Sequence, residues 1–142
     1  MTRRLNDQIV VRDAVAVSAG GGAAAVVATK IDATGYSRAR FTFKMGAAAS
    51  TGSLSTGLGV WKAATSGATY ALIISAAAIT SGVLSGGASN IVVIDVPTDS
   101  ANAWLQLSGS FVSTTPAHSA IVELYGGVNR QNDTGPNQVI IA

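Results

Sequence analysis

The sequence has no cysteine and little charge. None of its 142 residues is Cys, and Asp, Glu, Lys and Arg together make up 11% of the chain. The lack of cysteine excludes a disulfide framework and a thiolate zinc site, and it fits a reducing compartment. The few charges are also unevenly spread, since the 32 residues between Lys62 and Asp95 carry none. A chain so poor in charge either enters a membrane or packs against other protein.

A membrane-spanning helix is not predicted. Such a helix needs roughly 20 predominantly apolar residues to cross about 30 Å of hydrocarbon. The best window, residues 70–89, is interrupted by Ser75 and by two turn-forming stretches at residues 80–82 and 85–87. Charged and polar residues such as Asp7 and Arg12 break any secretory signal, so we expect synthesis in the cytoplasm and no membrane partner.

Strand patterns recur throughout the chain. Residues Arg38–Met45 alternate strictly between polar and apolar, and residues 104–112 repeat the pattern, which is typical of strands with one buried face. Other segments are apolar on both faces, as expected of central or interface strands: residues 24–31, 70–75, 91–96 and 120–125. With residues 9–17 and 58–63, the pattern predicts an all-β fold of about eight strands, an antiparallel β-sandwich of jelly-roll type.

The two ends of the chain differ from the middle. We predict an N-terminal arm over residues 1–8, one sandwich domain over residues 9–130 and a C-terminal tail over residues 131–142. The tail ends in the apolar residues Val139, Ile140 and Ile141, which are candidate partner-binding residues. They suit either an edge of the chain's own sheet or a groove on a neighbouring molecule.

Catalytic and metal-binding patterns are weak. His118 is the single histidine, and it stands at the entry to an apolar run, so a strand-entry role is favoured over a catalytic one. Asp95 and Asp99 flank a proline turn and could offer oxygen ligands, but two carboxylates are too few for a dedicated cation site, and Asp beside such a turn commonly accepts local backbone hydrogen bonds. We therefore predict no enzymatic activity, no catalytic residues, no cofactor and no metal.

Basic residues form the clearest candidate docking group. Arg38, Arg40 and Lys44 share one strand face. Phe41 and Phe43 have the opposite parity and point into the core, so the face lacks the aromatic platform that nucleic-acid-binding sheets use. The pattern favours docking on an acidic surface, or a solvated face, over nucleic-acid binding. The other basic candidates lie upstream: Arg3, Arg4 and Arg12.

Two tryptophans are candidates for sugar binding or for a protein interface. Trp104 has the same parity as Gln106 and Ser108, which predicts that it is exposed. No such indication exists for Trp61. Trp104 is therefore the aromatic candidate for partner binding.

The order of these segments resembles the jelly-roll cement, or head decoration, proteins of tailed bacteriophages. The similarity is in succession and spacing, and it covers roughly residues 30–130. The segments that carry it are residues 30–36, Arg38–Met45, residues 59–62, residues 92–97, residues 104–107 and residues 120–127.

The resemblance implies a structural protein that binds the outer surface of an assembled phage head and staples neighbouring major capsid subunits. It also implies a homo-oligomer located in the virion after synthesis in the bacterial cytoplasm, and we favour a dimer over a trimer. The alternative hypothesis is a glycan- or receptor-binding β-sandwich module on a virion or tail appendage.

Overall fold

The structure, a computed structural model, describes residues 9–18, 21–22, 26, 29–46, 58–76, 90–110, 114–115 and 117–126. These ranges contain ten strands and no helix. The strands are β1 (Val10–Ser18), β2 (Gly21–Gly22), β3 (Ile31–Asp32), β4 (Arg38–Met45), β5 (Leu58–Ala63), β6 (Ala71–Ala76), β7 (Asn90–Pro97), β8 (Trp104–Ser108), β9 (Thr114–Thr115) and β10 (His118–Tyr125).

Eight of the strands form two four-stranded antiparallel sheets. The first sheet has the order β1-β10-β4-β7 and the second has the order β3-β8-β5-β6, while β2 and β9 pair separately. Successive strands of the eight alternate between the sheets except for the β5–β6 hairpin. This is the strand order of a jelly roll, a pair of Greek keys folded into two facing sheets. The predicted eight-stranded β-sandwich is confirmed.

One apolar core lies between the two sheets. It is built from alternate residues because neighbouring side chains of a strand point to opposite faces. In β4 the residues of one parity are fully buried while those of the other face solvent, as the sequence pattern predicts. The largest fully buried side chains come from both sheets: Phe41, Phe43, Met45, Leu58, Leu105, Leu107 and Leu124.

The predicted strand limits agree best where the polar alternation or the flanking turns are clear. β4 has the predicted bounds, and so does β5. β8 ends at Ser108, earlier than predicted, and the Gly109 carbonyl that follows accepts a hydrogen bond from the Val26 amide at 2.8 Å. Half of the predicted strand over residues 24–31 lies outside the described residues, as do residues 111–112.

The segments that are apolar on both faces occupy different places. β10 lies inside the first sheet, between β1 and β4, as a central strand does. In contrast, β6 and β7 are edge strands, one in each sheet. β1 contacts β8 across the core, so the β6 and β7 edges lie together on the opposite side of the sandwich.

Backbone hydrogen bonds connect the start of β4 with the ends of β7 and β10 in the first sheet. The Ser37 amide donates to the Tyr125 carbonyl at 3.2 Å, and the Thr98 amide donates to the Ser37 carbonyl at 2.9 Å. Gly126 leaves β10 with a φ of 71°, a left-handed conformation that favours glycine. The starts of β4 and the ends of β7 and β10 are thereby held side by side.

Candidate binding surfaces

The outer face of the first sheet carries a cluster of paired charges, which we call the Asp95 cluster. Arg38 donates from Nε to Asp95 Oδ1 at 2.8 Å and to the Tyr125 hydroxyl at 3.1 Å. Arg40 lies 3.4 Å from the other carboxylate oxygen and 3.9 Å from Glu123. The Tyr125 hydroxyl also donates to Asp95. Two of the predicted docking cations therefore already have carboxylate partners within their own sheet.

The Asp95 carboxyl is held in its ionised form. Partial burial acts to raise its pKa, but hydrogen bonds from Tyr125 and Arg38 and the positive charges of Arg38 and Arg40 outweigh that effect, so the pKa is lowered. Hydrogen bonds with Tyr125 and Asp95, and the negative charge of Asp95, raise the pKa of Arg38. Asp95 and Arg38 are thus both ionised at neutral pH, and the cluster contains as many arginines as carboxylates.

The other predicted docking residues are spread over the chain. Lys44 is exposed on β4, opposite Ile91 of β7, and Arg12 is half-buried on β1. Trp104 is half-buried at the start of β8, in the second sheet. The remaining candidates lie outside the described residues: Arg3, Arg4, Val139, Ile140 and Ile141.

Asp99 occupies a separate turn after β7. Its carboxylate accepts hydrogen bonds from the Ala101 amide at 2.9 Å, the Asn102 side chain at 3.0 Å and Lys62 Nζ at 3.2 Å. These bonds, that from Asn102 foremost, lower the pKa of Asp99 to about 2. The turn borders an open pocket of about 400 Å³ lined mainly by small and hydroxyl-bearing residues.

The weak catalytic and metal candidates are held apart. Asp95 and Asp99 bind different partners, and among the described residues no three His, Cys, Asp or Glu side chains come together as a metal group. His118 is buried at the start of β10, with its ring centroid 5.9 Å from that of Phe43. His118 thus lies at the entry to a strand, which is the position that the sequence pattern favoured over a catalytic role. Within the described residues, no helix is long and apolar enough to span a membrane.

The outer face of the second sheet brings both tryptophans together. Trp61 of β5 pairs with Gln106 of β8, and Trp104 precedes Gln106 by two residues in the same strand. The two indoles are therefore diagonal neighbours on one face, which places them within reach of each other. Both are half-buried.

Glycine at position 59 makes room for the Trp61 ring. A Cβ atom built on Gly59 would lie 2.8 Å and 2.9 Å from two atoms of the indole. The ring therefore lies down over the glycine, against the surface of the strand. In this geometry an aromatic side chain covers a glycine of the sheet, so that Gly59 is buried and the indole lies along the sheet surface.

Large apolar side chains are exposed on both edge strands of one side. On β7, Ile91 is 65% and Val93 is 56% exposed, and on β6, Leu72 is 50% and Ile74 is 45% exposed. All four lie in the charge-free stretch of the sequence. Such side chains on two edge strands are unusual for a surface that meets only water.

Sequence reasoning missed three features of these surfaces. The pairing of Arg38 with Asp95 joins residues that are 57 positions apart, and no local pattern reports it. The orientation of Trp61 follows from Gly59 two residues earlier, a signal that was present in the sequence. The exposure of β6 and β7 depends on strand order, which hydrophobic period alone does not contain.

The fold and the surfaces define a jelly-roll β-sandwich with an internally paired charge cluster on one outer face and two half-buried tryptophans on the other. The chain matches no protein-family model and no curated protein sequence.

Proposed function

We propose that this protein is a structural, non-enzymatic component of a tailed bacteriophage virion that binds the outer surface of the assembled head. It staples neighbouring major capsid subunits and does so as a homo-oligomer, preferably a dimer. Its partners are protein surfaces rather than nucleic acid or membrane. The basis for the phage assignment is the resemblance in the order of the sequence segments.

One observation carries the proposal: the charges of the Asp95 cluster neutralise each other while large apolar side chains on the same face are exposed. Asp95 engages both arginines of β4, and Ile91 and Val93 of the neighbouring strand face solvent. A surface with few free charges and exposed aliphatic groups resembles the centre of a protein interface. The side chains on this surface therefore suit contact with another protein better than contact with water.

A protein that binds a capsid shell needs a surface complementary to the capsid subunits and repeated contacts with them, and it needs no catalytic groups. Each contact can be weak, because an oligomer that engages several equivalent capsid subunits gains avidity through effective concentration. A rigid sandwich whose two sheets share one core suits such a bridging role, since it holds its binding surfaces in fixed positions.

The test is made on virions and on heads assembled without the protein. The proposal expects the protein to copurify with heads in a copy number commensurate with the capsid lattice. Purified protein added back should cosediment with the heads and restore their resistance to heat. Detection at the tail alone, or failure to bind heads at any salt concentration, would contradict the proposal.

A glycan-binding module on a virion or tail appendage is the second candidate function. The observation that favours it is the shared position of Trp61 and Trp104 on the outer face of the second sheet, beside the amide of Gln106. Indole rings with an adjacent amide suit stacking and hydrogen bonding with sugars. A glycan array separates the two functions, since this candidate predicts binding that Trp61→Ala and Trp104→Ala both abolish.

A further inference from the structure

Four strands form the edges of the two sheets, and three of them carry features that block pairing with another chain. β1 has irregular register at two places and bears Arg12 and Asp13. β3 has only two residues, and the pairing of β6 with β5 is shifted between Val60 and Trp61. Bulges, charges and short length are the means by which natural sheets protect their edges.

β7 lacks this protection. Its eight residues pair with β4 in an unbroken register from Asn90 to Pro97. No charge occurs before Asp95, and Pro97 comes only at the end of the strand. Within the described residues, β4 is its only partner strand, so its other side offers a regular row of backbone N–H and C=O groups.

The outward side chains of β7 suit an identical strand. Ile91 and Val93 are the exposed residues, and they stand on either side of Val92. A two-fold axis at Val92 sets Ile91 of one copy opposite Val93 of the other in an antiparallel pair. The same axis keeps each Asp95 away from the other, so no like charges face each other across the pair.

The other charged side chains on the outer face of the first sheet also permit two copies to associate through β7. Lys44 is the exposed cation nearest to the apolar pair, and it lies on β4, one strand inside the edge. Two Lys44 residues would be separated by three strand spacings, about 14 Å. This exceeds the screening length of about 8 Å at physiological ionic strength. The Asp95 cluster is balanced internally and adds little repulsion.

We propose that two copies of this chain associate through the free edges of β7, residues 90–94, and join their first sheets into one continuous eight-stranded sheet. The arrangement is isologous, since each copy uses the same surface. Backbone hydrogen bonds set the direction of pairing, and the Ile91–Val93 contacts set its register. The inference deepens the proposed homo-oligomer by naming its interface, and it rests on that part of the proposed function alone.

The first test compares two lysine substitutions at exposed valines on opposite edges of the same sheet. Val93→Lys places a charge in the proposed interface, whereas Val17→Lys, at a β1 residue that is 87% exposed, is the matched control. Sedimentation equilibrium should find dimers for the natural chain and for Val17→Lys, and monomers for Val93→Lys. Circular dichroism and thermal unfolding verify that each variant is folded.

Each outcome of that test has a distinct meaning. If Val93→Lys remains dimeric, or if Val17→Lys dissociates the dimer equally, the β7 interface is wrong while the homo-oligomer stands. A monomeric natural chain at its highest soluble concentration overturns both the interface and the homo-oligomer. Binding to isolated heads is measured separately, so a failure of the capsid role is not confused with a failure of the interface.

The second test fixes the register through cysteine cross-linking. The natural chain has no cysteine, so introduced thiols are the only ones present. Directly opposed residues lie within the Cα separation of roughly 4.4–6.8 Å that a disulfide requires. An equal mixture of Ile91→Cys and Val93→Cys chains should form cross-linked dimers on mild oxidation, while Val17→Cys chains should not. Absence of the mixed dimer would overturn the proposed register.

Discussion

Arg38 binds the carboxylate of Asp95 more closely than Arg40 does, although Arg40 is the residue directly opposite Asp95 in the sheet. The shortest nitrogen–oxygen distance is 2.6 Å for Arg38 and 3.4 Å for Arg40. The diagonal arginine therefore supplies the stronger contact, because it approaches with two nitrogens and also binds Tyr125. Arg40 instead lies over the Tyr125 ring at 5.6 Å and near Glu123.

This geometry predicts unequal effects of removing the two arginines. Both variants should lower the free energy of unfolding only slightly, since both pairs are partly exposed to water, and Arg38→Ala should lower it more than Arg40→Ala. Urea denaturation of each variant, alone and combined with Asp95→Ala, gives the coupling energies. Equal coupling of Asp95 to both arginines would contradict the predicted order.

Acid should weaken the fold through the two aspartates whose pKa is lowered. A carboxyl whose folded pKa lies below its unfolded value stabilises the fold above the unfolded pKa, and this contribution disappears as pH falls through the folded pKa. For Asp99 the window runs from about 3.8 down to about 2. Urea midpoints measured from pH 5 to pH 2 should fall less steeply for Asp99→Asn than for the natural chain. Parallel curves would show that Asp99 does not contribute.

Three glycines form a series that separates backbone strain from steric clash. Gly67→Ala should be close to neutral, since a Cβ there meets open space and the backbone is not left-handed. Gly35→Ala should cost about 1–2 kcal/mol from left-handed backbone strain alone, as its φ is 82°. Gly126→Ala should cost more, because the added carbon would also lie 2.1 Å from Ser37 Oγ. Thermal or urea unfolding that ranked Gly67→Ala as the most harmful change would refute this account.

Gly59→Ala should displace the Trp61 indole from the sheet surface. The added methyl group would overlap the ring and also approach the Ile74 carbonyl at 3.1 Å. In a Trp104→Phe background, where Trp61 is the only indole, its fluorescence maximum should shift to longer wavelength as the ring enters water. If a glycan ligand is found, its affinity should fall with this change, whereas Gly67→Ala should leave both fluorescence and affinity unaltered.

Much of the fold could be predicted because polar alternation specifies which residues of a strand face the core. Arg38–Met45 is the clearest case, since the buried parity of Phe41 and Phe43 and the limits of β4 all follow from eight residues. The separate places of β6, β7 and β10 were not predictable in the same way, because a segment that is apolar on both faces fits a central strand and an exposed edge alike.

The surfaces could be predicted only in part. Arg38, Arg40 and Lys44 were correctly placed on one exposed face, but their charge balance depends on which strand lies next to β4. Asp95 reaches that position through strand order, which local residue patterns do not encode. The polar neighbours of Trp104 indicated its position on the outer face, although the side chain is half-buried there and not exposed. Trp61 stands between Val60 and Lys62 in a strand whose pairing with β6 is irregular.

The position of β10 determines when the first sheet can form. β10 is the last strand among the described residues, yet it lies between β1 and β4, and it joins Val10 to Leu124 across nearly the whole chain. Only the β5–β6 hairpin pairs strands that follow each other directly in these sheets. Because distant pairings fold slowly, and because β10 is made after β1 and β4, we expect the first sheet to close only once β10 has been synthesised. Until then β1 and β4 have no strand between them, and the newly made chain depends on β10 to complete its core.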